Sequence, residues 1–185
     1  MSRGRLIAVV GPSGVGKDSV MEGLVKSVPG LQIARRCITR AACDSTETFQ
    51  SISVDRFEQL CSDNAFALHW DAHGLHYGIP HGALSGLADG QDVLVNLSRS
   101  VLNSAATKFQ PFVVISLSAA PDILAQRLHA RGRETASRIA ARLTRSGTAM
   151  PVGVQVISIA NNGALADTVS RARGALYPLT ETRVI

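Results

Sequence analysis

Short apolar runs alternate along the chain with longer segments in which apolar residues recur every three or four positions. The runs predict five strands, at Leu6–Val10 and at residues 32–38, 92–97, 111–117 and 154–159. The segments between them predict helices, since a repeat of three to four residues places apolar side chains on one helix face. Strands that alternate with helices are typical of an α/β domain with a largely parallel sheet.

The predicted helices have distinct ends. The first follows a glycine-rich loop, carries its apolar stripe to Val28 and ends at Pro29 and Gly30. Pro121 begins another helix, because proline is favoured at the first helical position. Residues 164–176 form the last predicted helix.

Residues 40–90 are richer in glycine and polar residues and have no regular apolar repeat. This stretch predicts a smaller lobe inserted between the core strands. With 185 residues, 45% of them hydrophobic, the chain is long enough for one well-buried domain. We therefore expect residues 1–185 to form a single domain that includes the lobe.

The cysteines and the amino-terminal sequence indicate the cellular compartment. Cys37, Cys43 and Cys61 are odd in number and lack a C-x-x-C spacing, which favours free thiols in a reducing compartment over a disulfide framework. The run Leu6–Val10 is too short for a signal sequence or a membrane span. We expect a cytoplasmic protein without membrane association.

The net charge of +5 and the pI of about 9.6 indicate an anionic partner. Nucleic-acid-binding proteins usually interleave aromatic residues with basic ones for base stacking, and aromatic residues make up 4% of this chain. We therefore expect a phosphorylated small molecule rather than a nucleic acid.

The segment VVGPSGVGKDSV, residues 9–20, follows a predicted strand and begins a predicted helix. Its glycines let successive backbone N–H groups point at phosphate oxygens, and the helix N-terminus adds positive potential. In the pattern G-x-x-x-x-G-K-S/T, the lysine reaches the terminal phosphates of a nucleotide. A glycine-rich turn with an unrelated lysine is the alternative. We predict an ATP site formed by Gly11, Pro12, Ser13, Gly14, Val15, Gly16, Lys17, Asp18 and Ser19.

The residue after Lys17 is Asp18, where the pattern has a hydroxyl group that contacts Mg²⁺. Ser19 could supply that hydroxyl one position later, directly or through a water molecule. Asp18 could instead bind a water on the ion, or cap the helix. Both residues are candidate Mg²⁺ ligands.

A second basic segment, RLHARGRETASRIAARLTRSG, covers residues 127–147. Arg138, Arg142 and Arg145 fall on one face of a predicted helix. Taken alone, such a strip is typical of a solvated surface. In a chain with a phosphate-binding loop it also predicts a lid, whose arginines neutralise a phosphoryl group in transfer and exclude water.

Four histidines lie within thirteen residues: His69, His73, His76 and His81. Such a cluster suggests zinc binding, but glycines and a proline break any helix that would align the four side chains. We favour a role for His73 in an acceptor pocket.

The segments GPSGVGKDS, HGLHYGIP, RGRETASRIAARL and VISIANNGAL resemble, in order and spacing, the matching segments of guanylate kinases. The resemblance covers most of the chain. It implies a P-loop kinase core with a parallel sheet flanked by helices, an inserted acceptor-binding lobe and an arginine-bearing lid at about residues 131–147. It also implies catalysis by Lys17, Arg131 and Arg142, acceptor binding by Arg40 and Tyr77, and a place beside the adenine for Asn161.

Three departures from the guanylate kinase pattern fall in the acceptor lobe, and a fourth follows it. The second arginine of a T-R-x-P-R segment is replaced by Cys43, the glutamate that reads guanine by Leu68, and a phosphate-binding tyrosine by Phe49. An acidic D-x-D-like segment becomes Asn96 and Ser98, which we assign to acceptor binding. Without the carboxylate, the donors of a buried guanine would be unpaired, so GMP is a poor candidate.

The altered pattern, G-K-D-S with W-x-A-H-G-L-x-Y-G-I-P and V-N-x-S-R, resembles a branch of this family that acts in phosphonate catabolism. That resemblance implies ATP and Mg²⁺ as cofactors, ribose 1,5-bisphosphate as acceptor and 5-phosphoribosyl 1-diphosphate as product. The alternatives are guanylate kinase, another small-molecule kinase on the same core, and an interaction module without activity. The presence of Gly16, Lys17 and the lid arginines argues against the last.

We expect Arg131→Ala and Arg142→Ala each to slow phosphoryl transfer by roughly 10³-fold, because arginines of this kind stabilise the charge of the transferring group. Arg145→Ala should change turnover little, because a solvated arginine contributes little. Steady-state kinetics of the three variants measures this difference. Small and equal effects at all three positions would instead support a solvated basic surface.

Overall fold

The strand β1 (Leu6–Val10) lies at the centre of a five-stranded sheet. The protein is described here by a computed structural model, which covers residues 3–40, 49–130 and 150–178. The other strands of the central sheet are β2 (Gln32–Ile33), β7 (Val93–Asn96), β8 (Phe112–Ser118) and β9 (Gln155–Ala160). Their order is β2-β7-β1-β8-β9, and neighbouring strands run parallel.

Both faces of this sheet are covered, which explains the uninterrupted apolar sequence of β1. All five of its side chains are fully buried. Leu6, Ala8 and Val10 pack in one apolar cluster, while Ile7 and Val9 pack in a second cluster on the other face. Strands that are buried on both faces are continuous apolar runs rather than alternating ones.

In the described part of the chain, five α-helices flank the sheets: α1 (Lys17–Ser27), α2 (Val54–Ser62), α3 (Leu102–Lys108), α4 (Pro121–Ala130) and α5 (Leu165–Leu176). Helices α1 and α5 pack against each other. They approach closely at Gly23, where an added Cβ atom would lie 2.6 Å from Cγ2 of Val169. None of these described helices has the length and apolar character needed to cross a bilayer.

A second sheet stands beside the first and contains β3 (Arg36–Ile38), β4 (Phe49–Ser51), β5 (Phe66–Ala72) and β6 (Leu75–Pro80) in the order β4-β3-β6-β5. Strands β5 and β6 form an antiparallel hairpin with its turn at His73 and Gly74, whose φ angles are 56° and 72°. Helix α2 packs on this sheet through Phe57, whose ring centroid lies 5.0 Å from that of Phe66. Short 3₁₀ helices, His81–Leu87 and Arg99–Val101, precede and follow β7.

The predicted α/β architecture with a parallel sheet is confirmed, and most predicted strands match to within one residue at each end. The strand predicted over residues 32–38 is wrong: it consists of two strands in different sheets, because β2 pairs with β7 whereas β3 pairs with β4 and β6. An apolar sequence pattern indicates which residues are buried but not which strand they pair with. The pattern over residues 32–38 therefore shows no break where the chain passes from the first sheet to the second. Regular strands also occupy much of the stretch for which no regular repeat was predicted.

An ion pair connects the start of β1 to the start of β7 and to the end of α5. Arg5 donates to Oδ2 of Asp92 from Nη2 at 2.6 Å and from Nε at 3.0 Å, and the Tyr177 hydroxyl donates to the same oxygen at 2.7 Å. Burial raises the pKa of Asp92, but the hydrogen bonds from Arg5 and Tyr177 outweigh burial and hold that pKa below its usual value.

We expect Asp92→Asn to lower the free energy of unfolding by about 2 kcal/mol at neutral pH, because it removes a charged acceptor of several hydrogen bonds. A carboxyl group with a lowered folded pKa stabilises the fold above its unfolded pKa and loses that contribution as pH falls through the folded value. The difference between wild type and variant should therefore narrow below about pH 4.

Urea unfolding followed by circular dichroism between pH 7 and pH 3 measures that difference. Asp89→Asn is the matched control, because Asp89 is an exposed carboxylate close to Asp92 in the chain. A difference between wild type and Asp92→Asn that stays constant over this pH range would contradict the account.

Candidate active site

A cleft of about 570 Å³ lies where the carboxyl ends of β1 and β7 meet the second sheet. In open parallel α/β sheets, ligands bind at the carboxyl ends of the strands, and this volume is in the range of small-molecule sites. Most of the predicted site residues line it: Gly11, Pro12, Ser13, Gly14, Gly16, Lys17 and Asp18 from the loop, and Arg40, His73, Tyr77, Asn96 and Ser98 from the acceptor side.

The loop between β1 and α1 has the shape of a phosphate site. Gly14 and Gly16 have φ angles of 80° and 91°, a left-handed conformation that glycine adopts without strain. Lys17 Nζ donates to the carbonyl oxygens of Gly11 at 2.9 Å and Pro12 at 3.1 Å, so its ammonium group lies across the loop. Left-handed turns that direct N–H groups inward, a helix N-terminus and a lysine together fit bound phosphate groups.

Asp18 faces the cleft, and Ser19 does not. The carboxylate of Asp18 accepts a hydrogen bond from Nδ2 of Asn96, the last residue of β7, at 3.0 Å. A small cavity of about 10 Å³ adjoins both residues and Arg36, about the volume that one water molecule needs. Ser19 is exposed and is not among the described residues that line the cleft. A carboxylate oxygen in this position is a suitable ligand for Mg²⁺ or for water bound to it.

Tyr77 lines the cleft on its predicted acceptor side and is backed by a second aromatic ring. Tyr77 on β6 stacks on Trp70 on β5, with centroids 5.3 Å apart and planes at 9°. Trp70 Nε1 donates to Oγ of Ser98 at 2.9 Å, which joins the second sheet to the end of β7. The guanidinium of Arg36 lies 5.8 Å from the Tyr77 ring centroid. The wall therefore combines a fixed aromatic surface with positive charge.

Arg40 is a further residue of this wall, whereas Leu68 is not among the described residues that line the cleft. The guanidinium of Arg40 lies 5.8 Å from the ring centroid of Phe49, and Arg40 lines the cleft. Leu68 is 3% exposed and packs in the apolar cluster. An apolar side chain has no polar atom with which to pair a purine base, so this position cannot read guanine.

Asn161 supports the loop from behind. It is 3% exposed, its Nδ2 donates to the carbonyl of Val15 at 2.8 Å, and its Oδ1 accepts from Oγ1 of Thr168 on α5 at 2.8 Å. Val15 itself is fully buried, so it contributes its carbonyl to this contact while its side chain packs in the core. The side chain predicted to lie beside the adenine therefore has both polar atoms bound to the protein itself.

Two relatives match nearly the whole chain. A ribose 1,5-bisphosphate phosphokinase PhnN of Ruegeria sp. strain TM1040 is 47% identical over 95% of this chain and 93% of its own length. Another, of Azotobacter vinelandii, is 43% identical over 89% of this chain and 91% of its own. The chain belongs to the ribose 1,5-bisphosphate phosphokinase family. No protein-family model matches it.

Among solved structures, a guanylate kinase from Anaplasma phagocytophilum is similar to this chain, with a TM-score of 0.71 at 19% identity. The match covers 95% of this chain and 85% of the guanylate kinase chain. At that identity the likeness establishes the fold alone. This phosphokinase family member thus has a guanylate kinase-like fold, as the sequence motifs predicted.

Arg36 and Arg99 also line the cleft, and neither was predicted as a site residue. Arg99 belongs to the V-N-x-S-R motif, so the sequence did contain a signal for it. No sequence pattern distinguishes Arg36 from its neighbour Arg35. Arg36 reaches the cleft because the chain passes from the first sheet to the second between β2 and β3. The lid arginines Arg131 and Arg142, and the departure at Cys43, lie outside the described residues and remain predictions.

We expect Asn161→Ala to lower the free energy of unfolding by about 2 kcal/mol even without nucleotide, because two buried hydrogen bonds are lost. The Thr168 hydroxyl loses its acceptor, while the Val15 carbonyl keeps a 3.5 Å hydrogen bond from Nη1 of Arg127. Thermal unfolding with and without ATP measures this. Asn162→Ala, which removes one exposed hydrogen bond to the Ala120 backbone, is the control and should cost less. Unchanged stability of Asn161→Ala without ATP, with weakened ATP binding, would instead support an adenine contact.

Proposed function

We propose that this chain transfers the γ-phosphate of ATP to the 1-phosphate of ribose 1,5-bisphosphate, forming 5-phosphoribosyl 1-diphosphate and releasing ADP. The observation that carries the proposal is a cleft in which a phosphate-binding loop faces a cationic acceptor wall whose described residues include no base-reading carboxylate. Membership of the ribose 1,5-bisphosphate phosphokinase family supports the same acceptor.

On the donor side, the loop N–H groups and Lys17 bind the phosphates of ATP. The ammonium group of Lys17, now on the carbonyls of Gly11 and Pro12, is within the loop that receives the β- and γ-phosphates. Its charge matters most as negative charge shifts in the transition state, so it contributes more to the rate constant than to ATP affinity. The amino-terminal end of α1 adds to this positive potential.

Asp18 is our proposed Mg²⁺ residue, and Asn96 orients its carboxylate. Two observations support this: Asp18 lines the cleft, and its carboxylate accepts a 3.0 Å hydrogen bond from Asn96. Ser19 is exposed to solvent and is not among the described residues that line the cleft. When bound, Mg²⁺ neutralises charge on the phosphate oxygens of the nucleotide. Asn96 thereby acts as a positioning residue, since it holds the carboxylate without touching the phosphates.

On the acceptor side, Arg40, Tyr77, His73 and Ser98 bind the sugar bisphosphate in our proposal. The attacking oxygen of the 1-phosphate is already ionised at neutral pH, so the reaction needs no general base. Catalysis then depends on alignment of the two phosphates and on neutralisation of their charge. Closure of Arg131 and Arg142 over the cleft would complete the cation set and exclude water.

The direct test offers the purified protein ATP and Mg²⁺ with either ribose 1,5-bisphosphate or GMP and follows ADP release. We expect rapid release with the bisphosphate and little with GMP. Lys17→Ala provides the inactive control and should bind ATP while losing turnover. Turnover of GMP at a rate equal to or above that of the bisphosphate would leave guanylate kinase as the better assignment.

We expect Leu68→Glu to impair the native reaction without producing an efficient guanylate kinase. A carboxylate at this buried apolar position would disturb the packing of the cluster that contains Tyr77, while Cys43 and Phe49 still lack the arginine and hydroxyl groups that grip a nucleotide phosphate. Initial rates on both acceptors measure the effect, and Leu68→Met is the matched apolar control. Efficient GMP turnover by Leu68→Glu would show that the rest of the pocket still fits guanine.

A further inference from the structure

We infer that Arg99 binds the 5-phosphate of the acceptor, which does not take part in the reaction, and thereby favours a sugar bisphosphate over a sugar that carries only a 1-phosphate. This inference rests on the proposed function, since it concerns the same acceptor. Arg99 follows Ser98 in the V-N-x-S-R segment and begins the 3₁₀ helix Arg99–Val101 at the carboxyl end of β7.

The first observation is an unpaired buried donor. Nε of Arg99 is buried and has no hydrogen-bond partner in the part of the chain that the structure describes, while the residue lines the cleft. A guanidinium group stays charged at all relevant pH values, and a buried donor without an acceptor is costly. Such a group is explained when a ligand supplies the acceptor. The fork of N–H groups on arginine matches phosphate oxygens.

The second observation is the side of the cleft on which Arg99 lies. Strand β7 and β8 flank β1 on opposite sides, and β9, which leads to Asn161, lies beyond β8. Arg99 follows β7 and is adjacent to Ser98, whose hydroxyl is fixed by Trp70 of the acceptor wall. Its position in the fold is therefore on the side of β1 where the second sheet lies, and not on the side of β8 and β9.

The third observation is the distribution of charge along the wall. Lys17 lies across the P-loop, and the guanidinium groups of Arg36 and Arg40 lie beside the rings of Tyr77 and Phe49. A bisphosphate brings two separated dianions into the cleft, and the 5-phosphate, which does not react, needs a cation of its own. Arg99 supplies a guanidinium at the carboxyl end of β7 whose Nε has no acceptor among the described residues.

The test compares three ligands by calorimetry without ATP: ribose 1,5-bisphosphate, ribose 5-phosphate and ribose 1-phosphate. Because a charge-assisted hydrogen bond is lost, Arg99→Ala should weaken binding of the first two by about 10- to 100-fold. Binding of ribose 1-phosphate, which lacks the group that Arg99 contacts, should change less than about threefold. Arg99→Lys, which keeps the charge but lacks Nε, should give an intermediate loss.

Arg56→Ala is the matched control, because Arg56 is exposed on α2 in the same lobe, and it should leave all three affinities unchanged. A structural role is tested by thermal unfolding of the unliganded protein. Since Nε of Arg99 has no described partner, Arg99→Ala should keep its melting temperature within about 2 °C of wild type, while the stabilisation by bisphosphate falls.

The inference would be overturned if Arg99→Ala weakened the binding of ribose 1-phosphate and ribose 5-phosphate equally. It would also be overturned if the variant bound ATP more weakly while its affinity for the bisphosphate was unchanged. A fall in the unliganded melting temperature with unchanged ligand selectivity would overturn it as well. Wild-type turnover of ribose 1,5-bisphosphate distinguishes failure of this inference from failure of the proposed function. If that turnover is present and Arg99→Ala keeps its selectivity, the inference alone fails; if it is absent, the proposed function fails too.

Discussion

Repulsion between two polyanions is the constraint on which this arrangement depends. ATP and a sugar bisphosphate must come close enough to react, and two unit charges 4 Å apart repel by about 4 kcal/mol at an effective dielectric constant of about 20. Among the described residues, the cleft presents loop N–H groups, a helix N-terminus and four cationic side chains that can offset this repulsion, which are Lys17, Arg36, Arg40 and Arg99. These side chains come from separate stretches of the chain, so the charge can converge only if the fold holds both sheets together.

The carboxyl end of β7 is where the two sheets meet. Asn96 donates to Asp18 on the donor side, and Ser98, two residues later, accepts from Trp70 on the acceptor side. Side chains two residues apart on a strand point to the same face, but the strand ends at Asn96 and the chain turns into a 3₁₀ helix. This turn allows one short segment to contact both the P-loop and the acceptor wall. Donor and acceptor geometry are therefore coupled through the same few residues.

The sequence predicted the donor side better than the acceptor side, for a physical reason. β1, the P-loop and α1 are adjacent along the chain, so local patterns determine them. The acceptor wall depends on pairing between distant strands, and the split of residues 32–38 between two sheets brings Arg36 into the cleft. Asn161 is a second case in which the local sequence was not sufficient. Its motif suggested a ligand contact, but only the packing reveals its hydrogen bonds to Val15 and Thr168.

The central claim is that phosphate is added to the 1-phosphate of a sugar that keeps its 5-phosphate. Phosphorus NMR of a reaction with ATP, Mg²⁺ and ribose 1,5-bisphosphate tests it most directly, because it identifies the bond that forms. We expect two new coupled resonances from a diphosphate on C1, an unchanged monophosphate resonance from C5, and the resonances of ADP. Release of inorganic phosphate without new coupled resonances, or a diphosphate on C5, would contradict it.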